Sequence, residues 1–185
     1  TYFKREEGCD LYPGIDQLCF IHPELLGKMN RQMVSWLSTL DVQEATPIKL
    51  FKKHVLKLIE NNGITAKTII AYTRFIFALF CENQLTTSDL EKLKKLKILT
   101  KSKKLLEPWL CYLPDCFSPV INLEDLVLDA NFFVNDSYYD SAKINVIDKH
   151  ICEKWGKFFA KIGVNCDIIF VQEDVLQYLK TIAPN

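Results

Sequence analysis

Residues 143–164, KINVIDKHICEKWGKFFAKIGV, decide how the chain is read. Ile147, Ile151, Trp155, Phe158, Phe159 and Ile162 recur every three or four positions, which places six apolar side chains on one side of a 3.6-residue helix. Gly163 follows, and glycine readily takes the left-handed backbone that ends a helix. The stretch therefore predicts one amphipathic helix closing on a turn. The same pattern stands earlier, where Met33, Trp36, Leu37 and Leu40 precede Asp41-Val42 as the later run precedes Gly163-Val164. Met33/Trp155, Trp36/Phe158, Leu37/Phe159, Leu40/Ile162 and Val42/Val164 share an offset of 122, and Val55/Val175 and Leu56/Leu176 continue it at 120. This correspondence predicts an imperfect internal repeat.

The totals bound the reading. A chain of 185 residues suffices for one core or two small lobes, and 49% hydrophobic residues with twelve Phe, seven Tyr and three Trp argue for a folded, aromatic interior. Lys plus Arg and Asp plus Glu each number 23, so no general attraction to nucleic acid or acidic membrane is indicated. Seven cysteines, an odd count in irregular spacing, fit reduced and mostly buried thiols of a cytosolic protein better than a secreted disulfide framework. Cys111-x4-Cys116 has no second pair at metal-ligand spacing, so zinc is not expected. The apolar stretch 64–80 is broken by Lys67 and Arg74, which suits a buried helix better than a membrane span. The start, Thr1-Tyr2-Phe3-Lys4, reads as the edge of a piece of a larger intracellular, cytoplasmic protein.

In chain order, residues up to Gly14 read as a loop or extended arm. Helices are expected at 28–40, at 47–60 with Thr46 as cap and Pro47 in the first turn, at 66–80 capped by Thr65, and at 88–96 from Ser88. Residues 97–100 and 104–106 flank a lysine-rich loop and predict a hairpin. Three helices followed by a hairpin is a winged-helix order. Prolines 108, 114 and 119 limit helix formation between them and predict an ordered aromatic loop. Beyond it lie a short helix at 123–128 capped by Asn122, the 143–162 helix, and a last helix near 173–182.

No arrangement recommends catalysis. Histidines 22, 54 and 150 are scattered, no nucleophile motif or phosphate-cradling glycine loop occurs, and Asp125 and Asp129 read as capping or solubility residues. No cofactor or metal is expected. Recognition by shape remains, and Trp109, Tyr112, Phe117, Tyr138 and Tyr139 are the candidates for a protein-binding face. The lysines between 92 and 104, with Lys94, Lys95, Lys97, Lys101, Lys103 and Lys104 as candidate contacts, supply a second reading as a nucleic-acid site.

Leu93-Lys94-Lys95-Leu96-Lys97-Ile98-Leu99-Thr100, followed by Leu105 through Cys111-Tyr112-Leu113-Pro114-Asp115, resembles a recurring segment of the large sacsin and plant NO VEIN-like proteins. Phe133-Val134, Tyr138-Tyr139 and Trp155-Gly156-Lys157-Phe158-Phe159-Ala160-Lys161-Ile162-Gly163-Val164 resemble the segment downstream of it. The resemblance implies a position downstream of an Hsp90-type ATP-binding module and a chaperone-like role of the parent. No stretch here matches that module, so no catalytic residue carries over. Gly156 stands where a basic residue commonly follows the Trp, a change expected to alter one exposed helix position.

The expected fold is mainly α with small β-hairpins (α+β): helical lobes, a winged-helix-like first unit and an imperfect internal repeat. The expected division is an N-terminal arm (1–27), a helical lobe with hairpin (28–107), and an aromatic loop with a second helical unit (108–185) packed on the first. The expected role is a noncatalytic scaffold or protein-interaction segment of a large multidomain, chaperone-associated protein. Its partners would be neighbouring domains or a protein client, with nucleic acid second and no membrane.

Overall fold

The computed structural model describes residues 1–117, 119, 130–139 and 149–167. The expected helices at 123–128 and 173–182, the first turn of the 143–162 helix and the Val55/Val175 and Leu56/Leu176 correspondences lie outside them.

The chain opens on a strand, β1 (Tyr2–Arg5), which pairs in parallel with β2 (Gln43–Ala45). Tyr2, Phe3, Cys9 and Tyr12 are buried, because the opening aromatics find their partners far along the chain. Tyr2 also bridges in parallel to Phe20, so its backbone sits between two neighbours. Its N–H donates to the Cys19 carbonyl at 2.8 Å, and its carbonyl accepts from the Ile21 N–H at 2.9 Å.

Between these strands lie α1 (Pro23–Lys28) and α2 (Arg31–Thr39). Thr46 then caps α3 (Pro47–Leu50) with Pro47 at its start, as expected. The helix runs on through a π turn (Phe51–Val55) into α4 (Leu56–Glu60), burying Leu50, Phe51, Val55, Leu56 and Ile59. Asn62 rather than Gly63 takes the left-handed conformation past its end (φ 50°).

The central helix α5 (Ile69–Cys81) starts later than expected, because residues 65–68 close a turn in which the Thr68 N–H donates to the Thr65 carbonyl. Helix α6 (Thr87–Leu93) begins at Thr86 instead of Ser88: Thr86 and Asp89 form a reciprocal capping box. The expected hairpin follows as β3 (Ile98–Leu99) and β4 (Leu105–Leu106), paired antiparallel.

Tyr112 in the second half stands in a similar set of backbone hydrogen bonds. Tyr112 bridges in parallel to Phe133 on one side and to Asn165 on the other. The Tyr112 N–H donates to the Phe132 carbonyl at 2.9 Å, and the Tyr112 carbonyl accepts from the Val134 N–H at 3.0 Å. Helix α7 (Lys149–Lys161) ends at Gly163 (φ 101°), as the periodicity predicts. Its Trp155, Phe158, Phe159 and Ile162 join one hydrophobic core with Leu50, Phe51, Phe75, Ile76 and Leu93. The result is a mainly helical α+β fold with two two-stranded sheets among the described residues.

Candidate interaction surface

Helix α2 forms because Asn30 caps it, its side chain accepting from the Met33 N–H at 2.9 Å, and because its apolar residues fall at helical spacing. It ends where Asp41 turns left-handed (φ 61°). Asp41 pairs with Lys53 of the π turn and accepts from Gln43, which ties the end of α2 to the body. The Lys53 ammonium beside it holds the Asp41 carboxyl below its ordinary range.

The expected apolar face of α2 is present but uncovered. No residue of α1 or α2 is buried, and Met33, Trp36 and Leu40 are 49%, 62% and 57% exposed. Leu25 of α1 is likewise half exposed. Val34 and Leu37 are half-buried, while the 33–36–40 stripe faces solvent. An open groove of about 570 Å³ is lined by Leu26, Val34 and Ser38 together with Phe3, Val42 and Gln43.

The five aromatic residues singled out in the sequence divide. Trp109 is 62% exposed. Tyr112 and Tyr139 are half-buried. Phe117 and Tyr138 are buried and offer no surface. Phe117 packs edge-on against Phe159, and Tyr138 accepts a hydrogen bond from the Leu99 N–H at 2.8 Å while meeting Phe159. Burial pushes the Tyr138 phenol above its ordinary range. The uncovered α1–α2 face had a signal in the sequence, its periodicity, but periodicity does not say whether a face has a partner.

Of the candidate nucleic-acid lysines, Lys94, Lys95, Lys103 and Lys104 are exposed, and Lys97 and Lys101 are half-buried. Lys94 pairs with Glu91 and Lys101 with Asp136. The hairpin is not a free wing: Thr100 bridges to Val134, and the Lys101 N–H donates to the Phe133 carbonyl at 2.8 Å.

A cleft of about 550 Å³ lies elsewhere, lined by Tyr12, Lys53, His54, Lys57, Thr65 and Tyr72 among others. The Tyr2 hydroxyl and His54 Nε2 are 2.6 Å apart beside it. Burial, then Lys53 and Lys57, hold the His54 imidazole below its usual value, and burial pushes Tyr12 up to about 12. The closely spaced cysteines also part: Cys111 is buried, its thiol pushed up to about 12 by burial, whereas Cys116 is exposed. Among the described residues no cluster of His, Cys, Asp or Glu could hold a metal, and no helix is long and apolar enough to cross a membrane.

Comparison with protein-family models, curated proteins and solved structures found no match for this chain.

Proposed function

We propose that the chain is a noncatalytic interaction segment of a larger protein, and that the α1–α2 face is the surface through which it binds a protein partner. The observation that carries this reading is the run of Met33, Trp36 and Leu40, three large apolar side chains about half exposed along one helix side. Scattered exposed apolar residues are ordinary, but a stripe on a helix that buries none of its residues is the form of a docking face. The resemblance to sacsin and NO VEIN-like proteins agrees with a scaffold role beside a chaperone-type module.

The internal repeat belongs to the same proposal, and several local geometries support it. Tyr2 and Tyr112 each pair in parallel with two residues, Phe20 and Gln43 for one, Phe133 and Asn165 for the other. His22 accepts from the N–H two residues on, and so does Asn135. The two principal helices close alike: Val42 N–H to Leu37 carbonyl at 3.1 Å, and Val164 N–H to Phe159 carbonyl at 3.0 Å. A winged-helix nucleic-acid role receives less support, because its hairpin is already hydrogen-bonded to the second half.

The test is partner capture by the folded chain, comparing wild type with Met33→Asp, Trp36→Ala and Trp109→Ala. The reading predicts that both α2 variants lose the same specific partner while Trp109→Ala keeps it. Unchanged recovery by the α2 variants would contradict it.

A further inference from the structure

The cleft of about 550 Å³ opens where the π turn and α4 meet the turn that leads into α5. Lys53 and Lys57 line it, and none of its described lining residues is Asp or Glu. Lys53 is paired with Asp41, whereas Lys57 is exposed and forms no ion pair among the described residues. His54 lines the cleft as well. The Tyr2 hydroxyl takes its Nε2 at 2.6 Å, and its Nδ1 makes no hydrogen bond among the described residues. The thirteen-residue α5 begins at the same place. Thr68 stands at its cap position, yet its side chain caps no helix N–H and instead accepts from the Thr65 N–H at 3.2 Å. Both threonines line the cleft, so the positive end of α5 opens beside the lysines.

This concentration of positive charge is unfavourable by itself: after burial, the two lysines press the His54 imidazole toward its neutral form. An anion offsets it. Phosphate suits donors of this kind, because ammonium, hydroxyl and imidazole N–H groups all donate to its oxygens. The cleft is far larger than a bare phosphate needs, and it falls within the range of about 300–1,000 Å³ typical of small-molecule sites. Leu58 and Tyr72, the latter edge-on to Tyr12 at 6.0 Å, are half-buried in its lining and supply an apolar wall for the rest of such a molecule. We propose that this cleft binds a small phosphate monoester, its phosphate held by Lys57 with Thr65, Thr68 and His54 and its organic part resting on Tyr72 and Leu58. The proposal is independent of the α1–α2 face, which is built from other residues.

The probe is phenyl phosphate, with inorganic phosphate and phenol as comparisons, each titrated calorimetrically into the full chain. Salt of about 0.15 M screens loose attraction to surface lysines. Phenyl phosphate should saturate one site per chain and bind more tightly than inorganic phosphate, and phenol should not bind. Lys57→Gln should weaken the monoester at least about tenfold, whereas Lys28→Gln, at an exposed position of α1, should leave it unchanged. Lys57 is exposed too, and circular dichroism verifies that both variants stay folded. Absence of saturable binding by phenyl phosphate would overturn the proposal. So would equal weakening by Lys57→Gln and Lys28→Gln, the mark of a general attraction to lysine. Inorganic phosphate binding as tightly as the monoester would make the free anion the ligand, and phenol binding as tightly would make the cleft an apolar site; either result contradicts the assignment.

Discussion

Gly156 lies in the middle of α7, where alanine would ordinarily favour a helix by about 1 kcal/mol. A Cβ there would stand 2.7 Å from the Phe117 carbonyl oxygen, a backbone atom that moves only with its turn. The position is half-buried, so the expectation of an exposed site tolerant of a basic residue is corrected. Gly156→Ala should destabilise despite the propensity gain, by about 1–3 kcal/mol as overpacking costs, seen as a lower urea midpoint at unchanged slope. Asp89 gives a second prediction. Burial raises its pKa, but hydrogen bonds from the Thr86 side chain and backbone, with Lys52 and Lys92 nearby, outweigh that and leave it lowered. Thr86→Ala removes the cap of α6 and should cost about 0.5–2 kcal/mol in the same measurement. His54 gives a pH dependence. Its folded pKa is lowered, chiefly by burial, so the unfolded chain binds its proton more readily. Stability should therefore be fully present above the unfolded value of about 6.5 and be lost as pH falls below it. Melting temperatures between about pH 7.5 and 5 should show a slope that His54→Gln reduces.

At the scale of elements, α2 and α7 carry similar apolar patterns and opposite fates. Phe158→Ala removes a fully buried ring from the core and should cost about 3–5 kcal/mol. Trp36→Ala, on the exposed side of α2, should change stability by no more than about 0.5 kcal/mol. Equal losses by chemical denaturation would contradict the assignment of one face as core and the other as open. This pair also shows what the sequence could convey. The 3.6-residue period marked both helices and the turns that end them, and Thr46-Pro47 marked the start of α3. Which face finds a partner depends on where α5 lies, and no local pattern records that. β1 was hidden for a related reason: Tyr2 and Phe3 are too short a run to read as a strand, and pairing with residues near 20 and 43 makes them one. The burial of Phe117 and Tyr138 likewise follows from Phe159, which meets both from a distant helix. The close approach at Gly156 depends on the same long-range packing.

Among the described residues, one core reaches from Tyr2 to Val164, and the α1–α2 pair stands outside it with its apolar stripe open. The polar cleft at His54 lies apart from this stripe, beside Tyr12 and Tyr72. The proposed interaction surface is the one left uncovered. The most direct measurement is photo-crosslinking from p-benzoylphenylalanine placed at position 36 in the protein in its native setting, with position 109 as the comparison. The account predicts a discrete adduct from position 36 to a protein partner and none of that product from position 109. Failure of position 36 to give an adduct beyond its own α1–α2 neighbours would contradict it.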